Sequence, residues 1–234
     1  LEVNSETDFV AKNATFKAFV RDILATIIKN KPATLEALLE CTIEGGELTV
    51  EQARKDKVFS IGENITIRRF QIIEGTTGSY IHNAGALAVV AKFDTDVAAS
   101  AEFDEFAKNV CMQIAAMNAS YVCRGCVPAE VIENEKAILL AQISNDEALA
   151  SKPDAVKEKM VEGRINKFYQ TACLVDQAYV KDDSITVGKY IEDTAKALGG
   201  NIKVASFIKL ERGEGIEKRE DDFAAEIDKL VKGQ

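Results

Sequence analysis

Among 234 residues there is one histidine, His82. Serine and cysteine triads and most zinc sites draw on histidine, so nucleophilic hydrolysis and zinc chemistry have little to build on. A lone histidine reads as structural by default. No G-x-S-x-G elbow is present. No phosphate-binding G-x-x-x-x-G-K-[ST] loop is present, nor a strand–G-x-G-x-x-G–helix, so nothing cradles a nucleotide. No apolar run approaches the roughly 18 residues a membrane helix needs. Adjacent basic residues occur as isolated pairs, such as Arg68–Arg69 and Lys218–Arg219, on a chain of net charge −9. Phosphate backbones reward clustered positive charge, so nucleic acid is not the expected partner. The many carboxylates read as solvated helix faces. Methionine is missing from position 1, so the natural start is expected upstream, and no leader can be judged.

The five cysteines, Cys41, Cys111, Cys123, Cys126 and Cys173, are an odd set. That argues against a disulfide framework and for a reducing compartment. Cys123-Arg-Gly-Cys126 is a single C-x-x-C without two further ligands at zinc spacing. A redox pair is expected at a strand-to-helix turn, so free thiols are the expected reading. By elimination the chain reads as a binding protein with no cofactor and no metal of its own.

Positive signals are stronger. Apolar residues make up 47% of the chain and charged residues 29%, an ordinary globular balance, enough for one large domain or two to three small ones. Phe16, Phe19, Val20, Ile23, Leu24 and Ile27 share one helical face, opened by Asn13 as N-cap and closed by Lys31-Pro32. Short helical pieces follow over 33–57, split by Gly45-Gly46. Ile65 to Glu74 reads as a long strand with a bulge at Arg68-Arg69, where alternation slips by one. Tyr80 to Asn83 and Ala86 to Phe93 form a predicted hairpin turning at Asn83-Ala84-Gly85.

The pattern then repeats. Thr7-Asp8 aligns with Thr95-Asp96, and Phe16, Phe19, Ile23 and Ile27 align with Phe103, Phe106, Val110 and Ile114. NITIRRFQIIE at 64–74 matches NIKVASFIKLE at 201–211 in order. Two related lobes follow, α+β in class, each a small antiparallel sheet with helices on one face. The predicted division is 1–75 for the first lobe, and 76–122 with 175–215 for the second. An inserted helical hairpin covers 123–174, and a C-terminal helix covers 216–234. The hairpin faces, Ile132, Leu139 and Ile143 against Val156, Met160, Ile165 and Phe168, suit an antiparallel coiled coil turning at Ser151–Asp154. It is open whether this is a strut or a surface for a partner or a second copy.

Glu2 to Lys12, EVNSETDFVAK, resembles the signature segment of the elongation factor Ts family. Ile61 to Arg69, Gly78 to His82, Lys159 to Arg164, and Gly213 to Lys218 with Asp222 to Glu226 resemble further segments of it, in the family's order. The family's N-terminal ubiquitin-associated-like module has no counterpart here. The resemblance implies the same architecture and a guanine nucleotide exchange factor for elongation factor Tu, meeting that partner both GDP-bound and nucleotide-free. It places Asp8-Phe9 in the partner's G domain near its magnesium site, with Ile61, Gly62 and His82 lining the same contact. Val180-Lys181 falls where the family touches a second domain of the partner, with a lysine in place of the usual apolar residue. The C-terminal helix, 222–232, would lie on the G domain. A bacterial cytoplasm is implied by the long insertion, with a plastid as alternative. No enzyme, membrane or nucleic-acid role follows.

Spacing alone gives Phe9 a second reading. It precedes Phe16 by two helical turns and could staple that face from inside. The rival function class is a dimeric assembly protein built on the 123–174 hairpin.

Overall fold

The computed structural model describes residues 1–146, 148–149 and 151–215. It is α+β. Strands β1 (Glu2–Ser5) and β2 (Ile65–Arg69) pair antiparallel. Between them run helices α1 (Asp8–Lys12), α2 (Ala14–Asn30), α3 (Leu35–Glu40) and α4 (Val50–Ile61). Each of these helices opens on a side-chain oxygen accepting from its first turn: Thr7, Asn13, Thr34 and Thr49. Thr49 and Gln52 complete a capping box. Lys31, left-handed at φ 45°, ends α2 just before Pro32, as the sequence predicts.

α2 buries Phe16, Phe19, Ile23 and Ile27 against Val10, Leu38, Ile43, Val50, Ile65 and Ile67, which make a first core. Each such burial contributes about 1.5–3 kcal/mol. The bulge falls where predicted. Glu2 faces Arg69 and Val3 faces Ile67, so Arg68 is the extra residue. The strand itself is shorter than predicted. It stops at Arg69, and residues 70–74 have no ladder partner. Their apolar alternation continues, but no described strand lies beside them, and alternation without a paired neighbour does not make a strand.

A second core lies under the sheet β3 (Thr76–His82), β4 (Leu87–Thr95) and β7 (Ile202–Glu211), all antiparallel in the order β3–β4–β7. The β3–β4 turn sits at Asn83–Gly85 as predicted, with φ of 46°, 53° and 98°, but β3 starts earlier, at Thr76. Helix α5 (Ala101–Met117) buries Phe103, Phe106, Val110 and Ile114 beneath it. Gly78 lets the two meet, since a Cβ there would lie 2.5 Å from the Ala107 Cβ. Strands β5 (Ala178–Tyr179) and β6 (Asp182–Thr186) form a small hairpin, and helix α8 (Val187–Ala197) adds Val187, Ile191 and Ala195 to the core.

The internal repeat is real, with one shift of register. β4–β7 carries a bulge at Ala205, between the pairs Lys92–Ser206 and Phe93–Val204. That is the position matched to Arg68 by the repeat. Ser5 faces Ile65 and Thr95 faces Ile202, so the counterpart of Thr95 is Ser5, not Thr7.

Helices α6 (Ala129–Asn145) and α7 (Asp154–Ala172) form the inserted hairpin. Leu139, Ile143, Val161 and Ile165 are its buried seam. Val156, predicted for that seam, is exposed. The hairpin leaves and rejoins the fold at one point, where the Ser120 and Tyr121 amides donate to Ala172 O and the Leu174 amide donates to Tyr121 O. The expected C-terminal helix lies outside the described residues. Among the described residues, no helix is long and apolar enough to cross a membrane.

Candidate functional site

Asp8 and Phe9 are the first two residues of α1. Ser5 Oγ donates to Thr7 O, and Thr7 Oγ accepts from the Val10 amide, which fixes the turn. Val10 points into the first core and anchors the short helix from below. Phe9 is 81% exposed, so the internal staple is excluded. Val10 fills the place the staple reading gave to Phe9. Asp8 pairs with Lys12 at 2.6 Å, and this hydrogen bond holds its carboxyl below the ordinary carboxylate range.

Ile61 and Gly62 are brought to the same place. Glu63 accepts from the Thr7 amide at 3.0 Å and from the Thr7 hydroxyl at 2.6 Å, tying the end of α4 to the start of α1. Ile61 packs partly into the first core. Gly62 caps α4 at φ 82°, and nothing lies within 4 Å of the point a Cβ would occupy. The backbone there is open to an approaching surface. Glycine takes this conformation without the steric cost other residues carry.

His82 is on the second core, at the end of β3, facing Leu87. It is exposed, and the Tyr80 hydroxyl lies 3.0 Å from its Nδ1. In the next strand of the sheet Leu87 faces Glu211. Just beyond, Glu214 pairs with Arg69 at 2.8 Å, and its carbonyl accepts from Arg68. His82 therefore lies at the sheet end joined to the first core. It is not part of the cluster made by Asp8, Phe9, Ile61 and Gly62.

Val180 and Lys181 form the turn between β5 and β6. Val180 is exposed and Lys181 is hooked back, its Nζ donating to Asn109 Oδ1 on α5 at 2.8 Å. The turn is set by a buried amide network that the sequence reading missed. Gln113 Oε1 accepts from the Val180 amide at 2.7 Å, and its Nε2 donates to Gln177 Oε1 and Ala178 O. Gln177 in turn donates to Met117 O and Thr171 O. The available signal was a glutamine inside an apolar helical face, between Val110 and Ile114.

Phe59, on α4, was also missed. It is 92% exposed.

The cysteines are free thiols. Burial pushes Cys111 and Cys173 each up to about 11, and the hydrogen bond to Cys123 raises Cys126. Thiols so raised are poor nucleophiles at neutral pH.

The family model for elongation factor Ts matches residues 6–214. Elongation factor Ts of Syntrophotalea carbinolica is 39% identical over 236 residues, covering 99% of this chain and 76% of that protein. The chain belongs to the elongation factor Ts family. Asp8, Phe9, Ile61, Gly62, His82, Val180 and Lys181 all fall within the stretch matched to the elongation factor Ts model.

Proposed function

We propose that this chain is a guanine nucleotide exchange factor for elongation factor Tu in a bacterial-type cytoplasm, and that Asp8-Phe9 is its working edge. The observation that carries this is the ring of Phe9, held out into solvent on a helix clamped by Thr7, Val10 and Glu63. Exposed aromatics on rigid supports are the usual anchors of protein contacts. In this reading the ring enters the partner's G domain beside its magnesium and phosphate site. Asp8 adds charge and hydrogen bonds there, and Ile61, Gly62 and His82 line the contact. Val180 touches a second domain, and Lys181, bound to Asn109, contributes little to it.

The exchange itself is negative coupling. Phosphate contacts and Mg²⁺ hold GDP in such partners. A wedge that shifts those groups weakens nucleotide, and nucleotide weakens the wedge by the same factor. Each tenfold loosening of GDP needs about 1.4 kcal/mol of binding that is better in the nucleotide-free partner. No bond is made or broken by the factor, so it needs no acid, base or cofactor.

The division of the chain serves this function. Residues 1–75 carry the wedge, and 76–122 with 175–215 carry His82 and Val180. The hairpin of 123–174 extends the reach. Ile138, Leu140 and Val156 are exposed on the hairpin, and the alternative reading is a surface there for a second copy. Sedimentation of the chain with and without that hairpin separates the two.

The test is release of fluorescent GDP from elongation factor Tu. This chain accelerates it, and Phe9→Ala loses most of the acceleration while keeping the thermal midpoint. Wild-type release rates with Phe9→Ala remove Phe9 from the mechanism.

A further inference from the structure

We propose that Phe59 is a second anchor on the same partner, seated in an apolar crevice beside the part of the G domain that receives Gly62. This rests on the exchange reading above and extends the contact along α4. Val50 and Ala53 face the core, while Gln52, Lys55, Phe59 and Gly62 fall at helical spacing on the exposed side. Phe59 and Gly62 are three residues apart, so they are neighbours on one face. A surface that closes on the open backbone of Gly62 meets the Phe59 ring directly.

Phe59 is also close to Phe9. The Thr7–Glu63 hydrogen bonds join the two stretches. Three short steps lead from one residue to the other: Phe9 to Thr7, Thr7 to Glu63, and Glu63 to Phe59. The two steps along the chain cover about 6–7 Å each and the hydrogen-bonded step at most about 9 Å, which places the two backbones within about 23 Å. One side of a standard interface, about 800 Å² per partner, is wider than that. A partner seated on Phe9 and Gly62 and extending along α4 covers Phe59.

Among the described residues nothing else uses this ring. At 92% exposure it buries almost nothing, and alanine is a better helix former at such a site. Phe59→Ala is thus expected to fold as well as wild type, so that binding is read without a stability artefact.

The experiment compares wild type, Phe59→Ala, Phe59→Leu and Phe9→Ala. It measures affinity for nucleotide-free elongation factor Tu, the rate of fluorescent GDP release, and the thermal midpoint. Phe59→Ala is expected to bind about tenfold more weakly or worse, with an unchanged or higher midpoint and slower release at subsaturating factor. Phe59→Leu is expected to recover part of the loss, because an apolar crevice accepts leucine. Wild-type affinity in Phe59→Ala, alongside impaired Phe9→Ala, overturns this proposal and leaves the exchange reading standing. No acceleration of release by wild type overturns both. A concentration-dependent dimer that Phe59→Ala abolishes assigns the ring to a second copy and overturns the proposal.

Discussion

The two cores are built alike and finished differently at one corner. In each, a strand leads to a corner and a helix, and a second strand returns with a bulge at the matched position, Arg68 or Ala205. In the second core the corner is closed. Thr95 Oγ donates to Asn201 O, and Asp96 accepts from the Asn201 amide at 2.5 Å and from its side chain at 2.9 Å. Val97 then packs on the core, and Gly200 leaves room for Asp96 and Val97. In the first core the corner is fastened by Thr7 and Glu63, and the chain turns outward into α1 with Phe9 exposed. A closed corner stabilises its own fold; an open one presents a side chain to something else.

A second pair of matched positions makes the same point about fastening. Thr26 and Gln113 occupy equivalent places in α2 and α5, and both are fully buried polar residues. Each clamps a loop: Thr26 Oγ accepts from the Glu44 amide at 2.8 Å, Gln113 Oε1 from the Val180 amide at 2.7 Å.

The largest expected effect is on the second clamp. Gln113→Leu strands the Val180 backbone amide, Ala178 O and Gln177 Oε1, and should cost about 3 kcal/mol in denaturant unfolding, against about 1 kcal/mol for Thr26→Val. Equal losses would show that the two clamps are equivalent after all. Next come the corners. Phe9→Ala should lower the exchange rate by about 30-fold, corresponding to about 2 kcal/mol, with no change in stability. Val97→Ala should do the reverse, lowering stability and sparing exchange.

The bulges give a smaller contrast. Arg68 and Arg69 both bind Glu2. Burial pushes the Glu2 carboxyl up, but the two guanidiniums and the Asn4 amide outweigh it and leave its pKa lowered. A lowered folded pKa gives stability that is present above the ordinary carboxylate pKa and is lost as pH falls through the folded value. Glu2→Gln should cost about 1–2 kcal/mol near pH 7 and progressively less below about pH 4, read from thermal midpoints across that range. Smallest is Gly62→Ala, about 1 kcal/mol of left-handed strain. No clash accompanies it, so a larger loss of exchange than of stability would mark contact at that backbone.

The long helices were legible because their signals were long. α2 shows a cap, a stop and four core residues at helical spacing. α1 was not legible, since five residues bury only Val10. β2 was overread because Phe70 and Ile72 continue the apolar alternation, while no described strand pairs with them. Among the candidate residues, sequence spacing placed Phe9 and Gly62 on separate segments. The long-range Thr7–Glu63 hydrogen bonds, beside the Ser5–Ile65 pair, join them. Phe59 escaped because exposure depends on how α4 is rotated on its core, which its sequence signals weakly.

The point where the helical hairpin departs and returns has a consequence for the chain as a whole. Backbone pairs between 120–122 and 172–175 hold both ends together, so α6 and α7 form a side branch rather than a link in the main path. The route from α5 to β5 is already closed beneath them. A change in the length of that branch beyond this junction is expected to leave the register of the sheets in place, so that its reach varies separately from the corner that carries the aromatic.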